Sequence, residues 1–137
     1  MEIKSICKKV FDDRTIKLNE KKSTLFIDNA KGATVVHVDG CAISDNGLKC
    51  DYLVITPNGV EIYVELKGKD VKHAAEQIKR TIDLLSVDKV RQQKQSYIIA
   101  SKCPPGLTTF KQIQKSLFKK RYNSSFEIKT VEHRIKI

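Results

Sequence analysis

The stretch DYLVITPNGVEIYVELK, residues 51–67, decides the reading of this chain. Two β-rich runs, 51–56 and 60–67, flank Pro57-Asn58-Gly59, a pattern that predicts a β-hairpin. Its register matters more than its existence. A type I turn over Thr56-Pro57-Asn58-Gly59 puts proline at its favoured second position and glycine at the left-handed position that follows. Such a three-residue loop pairs Thr56 with Val60, so Asp51 falls opposite Glu65 on the same face, with Cβ atoms about 4.5–5.5 Å apart. Lys67, two residues beyond Glu65, shares that face. A two-residue Asn58-Gly59 turn of type I′ is the alternative. It pairs Asp51 with Leu66 and sends the two carboxylates to opposite faces. Pro57 favours the first register.

In that register one end of the hairpin carries Asp51, Glu65 and Lys67 together. Two carboxylates a few ångströms apart repel each other unless a cation lies between them. Mg²⁺ takes oxygen ligands, often one or two carboxylates completed by water and substrate phosphate. The backbone carbonyl of Leu66 is a third protein oxygen within reach of such an ion. A bound Mg²⁺ activates water and neutralises phosphate charge, and a neighbouring lysine can orient that water. Acid–lysine pairs on exposed strands are also common surface salt bridges of little energetic weight. The chemical reading therefore depends on the whole constellation and not on Glu-x-Lys alone.

Outward from the hairpin, Gly68 ends the second strand and Asp70 can cap a helix over 70–86. Val71, Ala74, Ala75, Ile78, Ile82 and Leu85 form its apolar stripe. His73, Gln77 and Thr81 follow one another at spacing four on another face. Residues 88–95 read as a polar stretch and 96–101 as a buried strand, and Pro104-Pro105-Gly106 is a break. A second helix runs to about residue 120, capped by Thr108 or Thr109, and a last strand spans about 126–131. Upstream, 15–18, 24–27 and 34–38 read as strands, and Asp39-Gly40 occupies a turn position. Residues 2–12 carry helix spacing, with β-branched content that leaves a strand open. The expectation is one α/β domain over 1–137 with a mixed β-sheet flanked by helices.

Asp51 followed by Glu65-Leu66-Lys67 at the end of the next strand resembles the PD-(D/E)XK signature of restriction-endonuclease-like nucleases. Cys50-Asp51 stands where the signature has Pro-Asp. The order of elements over about 34–101 matches the common core of that superfamily except for its first helix. The resemblance implies a restriction-endonuclease-like core and a metal-dependent DNA endonuclease or exonuclease. Asp51 and Glu65 would bind Mg²⁺, for which Mn²⁺ can substitute, and Lys67 would assist the water. Gln77 and Asp39 are accessory candidates. Glu20 is the candidate for the acid that many members carry in the first helix. The alternative is a catalytically silent module of the same fold that binds nucleic acid or a protein.

Composition is consistent with a polyanionic partner. Lys and Arg number 26 against 16 Asp and Glu, a net charge of +10, and such a surplus attracts DNA or RNA in a salt-dependent way. Lys111, Lys115 and Lys119 recur at spacing four, followed by Lys120 and Arg121. Like charges at this spacing repel mildly on a helix, which fits a phosphate-facing surface and equally a solvated face. With 40% hydrophobic residues the chain can bury a core. It has no apolar run near the roughly 18 residues of a membrane span, and no apolar signal core near its start. A cytoplasmic protein is expected, with Cys7, Cys41, Cys50 and Cys103 as free thiols. None of these forms a zinc-type spacing with His37, His73 or His133. Cleavage of both strands of a duplex needs two sites, so symmetry suggests a homodimer.

Overall fold

The computed structural model describes residues 3–137 and shows an α/β arrangement of two sheets and two helices. A short 3-10 turn leads into β1 (Lys8–Val10), β2 (Thr15–Glu20), β3 (Ser23–Asp28) and β4 (Thr34–His37). The hairpin strands β5 (Tyr52–Ile55) and β6 (Glu61–Lys67) precede α1 (Val71–Leu85) and β7 (Lys94–Ala100). The chain then forms α2 (Thr108–Tyr122), β8 (Ser124–Thr130) and β9 (Glu132–Lys136). The larger sheet is mixed, in the order β1-β4-β5-β6-β7-β8. Its first four strands pair antiparallel, whereas β6, β7 and β8 run parallel. The smaller sheet has the order β2-β3-β9.

The three-residue loop holds. Tyr52 pairs with Val64, Leu53 with Tyr63, Val54 with Ile62 and Ile55 with Glu61. The turn closes through Thr56 N–H to the Val60 carbonyl and Gly59 N–H to the Thr56 carbonyl, both 2.9 Å. Gly59 has φ +90°, a conformation that only glycine adopts without strain. The Thr56 side chain locks the loop by accepting from Val60 N–H at 2.9 Å.

Two apolar layers follow from strand alternation. Leu53 and Tyr63 face the helices and pack with Ala74, Ile78, Ile82 and Phe118. Val54, Ile62, Val64 and Leu66 face the other way and pack with Ile16, Leu25 and Ile27 of the small sheet. With a layer on each side, β6 is buried almost throughout. Its period-2 alternation of polar and apolar residues therefore does not mean a solvent face. Polar Glu61 survives there because its carboxylate accepts from the Tyr63 hydroxyl and from Val87 N–H.

Several elements differ from the sequence expectation. Within residues 3–12 the strand alternative forms and the helix does not: a 3-10 turn, Ser5–Cys7, leads into β1, and residue 2 lies outside the described residues. A three-residue strand with an exposed face needs little apolar periodicity of its own, because it borrows its order from β4. The second helix is capped by neither Thr108 nor Thr109. Leu107 is its N-cap residue and provides no side-chain hydrogen bond. The terminal strand is two strands, β8 and β9, separated by Val131 at φ +66°. Val131 N–H donates to Ala100 in the large sheet, while its carbonyl accepts from Thr24 in the small one. The chain changes sheets at that residue, and the two bonds hold a conformation β-branched residues avoid. Lys94, read as part of a polar stretch, is a buried strand residue. Its ammonium donates to the carbonyls of Asp88, Lys89, Gln92 and Tyr122.

The cysteines are corrected too. Cys7 and Cys41 form a disulfide, leaving Cys50 and Cys103 free. The fold brings the start of β1 beside the loop after β4, a contact across 34 residues that sequence spacing cannot show. No helix among the described residues is long and apolar enough to cross a membrane. Alkylation of the unreduced, unfolded chain should label two cysteines, Cys50 and Cys103. Reduction should lower the unfolding free energy by about 3–4 kcal/mol, the loop-closure value for a bridge of this span, read from denaturant midpoints with and without reductant.

Candidate active site

Asp51, Glu65 and Lys67 meet at the end of the β5–β6 hairpin, beside the C-terminal edge of the parallel strands. The Asp51 N–H bonds to the Val64 carbonyl at 3.2 Å, which carries the hairpin ladder one residue past β5. Its side chain turns across to β6, where Oδ2 accepts from Leu66 N–H at 2.8 Å. Glu65 is 3% exposed and its Oε1 is buried without a hydrogen-bond partner. Lys67 Nζ lies 3.8 Å from Glu65 Oε2 and donates to Gln77 Oε1 at 2.9 Å.

Helix α1 fixes the approach to Asp51 through one polar line. Gln77 Nε2 donates to the Lys49 carbonyl at 3.0 Å, and Arg80 to the Leu48 carbonyl at 2.8 Å. Thr81 Oγ1 accepts from Cys50 N–H at 2.8 Å. Three consecutive backbone groups before Asp51 are thus tied to one helix face. Arg80 also forms a two-pronged pair with Asp45, which holds that carboxyl down at about 2. A Cβ at Gly47 would meet the Arg80 guanidinium, so a larger residue there would have to displace that side chain from its place between Asp45 and Leu48. The Asp70 side chain starts the helix by accepting from His73 N–H, while the His73 ring stays exposed.

The carbonyl of Lys67 is pinned by Ser101 N–H at 2.8 Å and by Ser23 Oγ at 3.1 Å. Ser23 is buried at the tip of the β2–β3 hairpin, so the small sheet reaches the site there. Glu20 pairs with Ser23, and Lys21 and Lys22 form the two-residue loop between them, with Lys21 at φ +49°. A cavity of about 500 Å³ opens between this tip and the hairpin end. The acids, the lysine and the accessory candidates of the proposed metal site line it: Asp51, Glu65, Leu66, Lys67, Gln77, Asp39 and Glu20; His73 and Thr81, on the same helix line as Gln77, do not. Asp39 also pairs with Lys49 at 4.0 Å. Lys21, Lys22, Ser23 and Ser101 complete the wall and were missed. Glu20-Lys21-Lys22-Ser23 is legible as a hairpin tip, but nothing in the sequence says which sheet end it covers.

The electrostatics are those of a carboxylate pair short of a cation. Burial and then the Asp51 charge push the Glu65 carboxyl up to about 9, against the counter-effect of Lys67. Burial raises Asp51 as well, and the charges of Glu20 and Asp39 add to it. Among the described residues no three Asp, Glu, His or Cys side chains converge on one metal position. The side-chain oxygens facing one another here are those of two carboxylates, Asp51 and Glu65, with the backbone of Leu66 beside them. That set is too small for zinc or a protein calcium cage, but it suits Mg²⁺, which keeps waters and takes substrate oxygens. The bare, buried Glu65 Oε1 is the observation that fits such an ion. Cys50 is a poor nucleophile, because burial holds its thiol well above the ordinary range.

No protein-family model, curated protein or solved structure matches this chain, so the site is read from its own residues.

A protonated Glu65 has a pH signature. Below its ordinary value of 4.5 both folded and unfolded chains hold the proton; from there to about 9 only the folded chain does. Binding a proton only when folded means that stability falls as pH rises through that window. Glu65→Gln, which cannot ionise, should stabilise the protein by about 1–3 kcal/mol at pH 8 and by less at pH 5. Urea midpoints at the two pH values measure this; a gain that is equal at both would contradict the buried-carboxyl account.

Proposed function

We propose that this chain is a metal-dependent nuclease that hydrolyses phosphodiester bonds of DNA at the Asp51, Glu65 and Lys67 site. The supporting observation is the convergence of these three side chains at one hairpin end, with a buried carboxylate oxygen left bare for a cation. The run β4, β5, β6, α1, β7 has the order expected of a restriction-endonuclease-like core, which supports the same reading. The basic composition suits a polyanionic substrate.

Asp51, Glu65 and the Leu66 carbonyl would hold Mg²⁺, or Mn²⁺ in its place. When bound, the ion supplies water activation and neutralises charge on the scissile phosphate. The chain's own residues do the rest. Lys67 orients the attacking water and stabilises charge on the phosphate oxygens. Gln77 holds the Lys67 ammonium in direction through its Oε1. Lys21 and Lys22 bring positive charge to the opposite wall, where the strand must pass. In the balanced reaction the water oxygen bonds to phosphorus and the bond to the leaving sugar oxygen breaks. One water proton goes to that leaving oxygen and the other to solvent.

Cleavage of labelled duplex, single-stranded and branched DNA, with one RNA alongside, tests this. Activity should require Mg²⁺ or Mn²⁺ and vanish in EDTA. Asp51→Ala and Lys67→Ala should each lower the rate by about 10²–10⁴-fold, the range for loss of a group that acts in proton transfer or at the metal. Gln77→Ala should cost less, since it removes a positioning contact. Binding without cleavage of any substrate, unchanged by the substitutions, would replace this reading with a silent nucleic-acid-binding module.

A further inference from the structure

The carboxylate site does not account for the lysines of α2. Lys111, Lys115 and Lys119 lie on the flank of the helix beside β8, the edge strand of the large sheet. Lys115 and Lys119 line a cavity of about 540 Å³ with Gln95, Asn123 and Ser125. Lys111, Lys115 and Lys129 line an adjoining one of about 190 Å³. Because the two share Lys115, Phe126 and Glu127, they form one groove between the helix and the sheet edge. Helix α2 has no acidic residue. Among the described residues Lys111, Lys115 and Lys119 make no ion pair, and Glu127 already pairs with Lys129 at 3.6 Å. The apolar lining is closed off: Phe126 is 2% exposed and Ile128 is half-buried.

We propose that the groove between α2 and β8 is a second nucleic-acid contact, a track for the sugar–phosphate backbone away from the carboxylate cavity. Four helical residues advance about 6 Å, so the lysines form a ladder with the repeat of successive phosphates on a strand. The outer edge of β8 adds unpaired backbone N–H groups, which also bind phosphate. Protein partners need aromatic or apolar anchors to bind tightly, and the one aromatic side chain lining the groove, Phe126, is buried. The narrow end of the groove, at Lys111 and Lys129, points to the sheet end of the carboxylate cavity, where Lys67 is in register with Ala100 and Ala100 with Thr130, and its wide end lies at the other end of β7 and β8, at Gln95 and Ser125. From the narrow end α2 runs back along β8, so a bound strand can extend from one site to the other. The identity of the polyanion rests on the nuclease reading; the presence of a cationic track does not.

Binding of a labelled duplex of roughly 20 base pairs to the Asp51→Ala protein, across a salt series without divalent metal, tests the track. The triple variant K111Q/K115Q/K119Q should flatten the plot of log affinity against log salt by about 2–3, near 0.9 per lost phosphate contact. A control triple, K4Q/K8Q/K9Q, removes the same charge near the opposite sheet edge and should leave the slope nearly unchanged. Equal effects of the two triples would reduce the groove to general charge and overturn the proposal. Absence of nucleic-acid binding at low salt would overturn it in favour of an acidic protein partner. A wild-type protein that cuts nothing, with the slope loss confined to the α2 triple, would sink the nuclease reading and leave the track standing. Cleavage by wild type with an unchanged slope in the α2 triple would do the reverse.

Discussion

Thr56 stands opposite Val60, and the whole carboxylate site depends on that pairing. A strand exposes its side chains alternately, so a slip of one residue in the β5–β6 register would place Asp51 and Glu65 on opposite faces of the sheet. Two devices in the turn prevent the slip. Gly59 accepts a left-handed backbone, and the Thr56 hydroxyl captures the Val60 N–H across the loop. Both sit at the far end of the hairpin from the acids they align. Local turn chemistry thus sets the separation of two groups whose mutual repulsion opposes it.

That repulsion is tolerated because the surroundings over-determine the geometry. Asp51 is held from below by the Leu66 N–H, and its preceding backbone is stitched to α1 by Gln77, Arg80 and Thr81. Lys67 is held at its carbonyl by Ser23 and Ser101 and at its ammonium by Gln77. Gln77 therefore touches both halves of the site, binding the segment before Asp51 and the cation beside Glu65. Burial, and then the Asp51 charge, keep a proton on Glu65 up to about 9, which relieves the repulsion between the two acids.

The hairpin, α1 and the carboxylate cluster were legible because their information is local. Pro57, Gly59, the apolar stripe of α1 and the two-residue spacing of Glu65 and Lys67 all act within a few residues. What stayed hidden depends on distant parts of the chain. Ser23 reaches Lys67 across 44 residues, and Cys7 meets Cys41 across 34. Lys94 looked like solvent-facing polarity, yet it is the centre of four carbonyls that only the folded loop assembles. Val131 carries no glycine or proline to announce that the chain leaves one sheet for another. The resemblance points to Glu20 as an acid of a first helix. The small sheet, not an N-terminal helix, carries it to the cavity.

The Cys7–Cys41 bond joins the strand at one sheet edge to the loop that carries Asp39, two residues before Cys41. Val38 and Ile43 fold that loop into a tight backbone knot, and Lys49 pairs with Asp39 from the other side. Thiol reagents are therefore not inert towards this protein. They act on a crosslink only two positions from an acid of the cavity wall. Preparations kept under air and under dithiothreitol are two chemical species, and the one with the open loop can differ in how that wall is shaped.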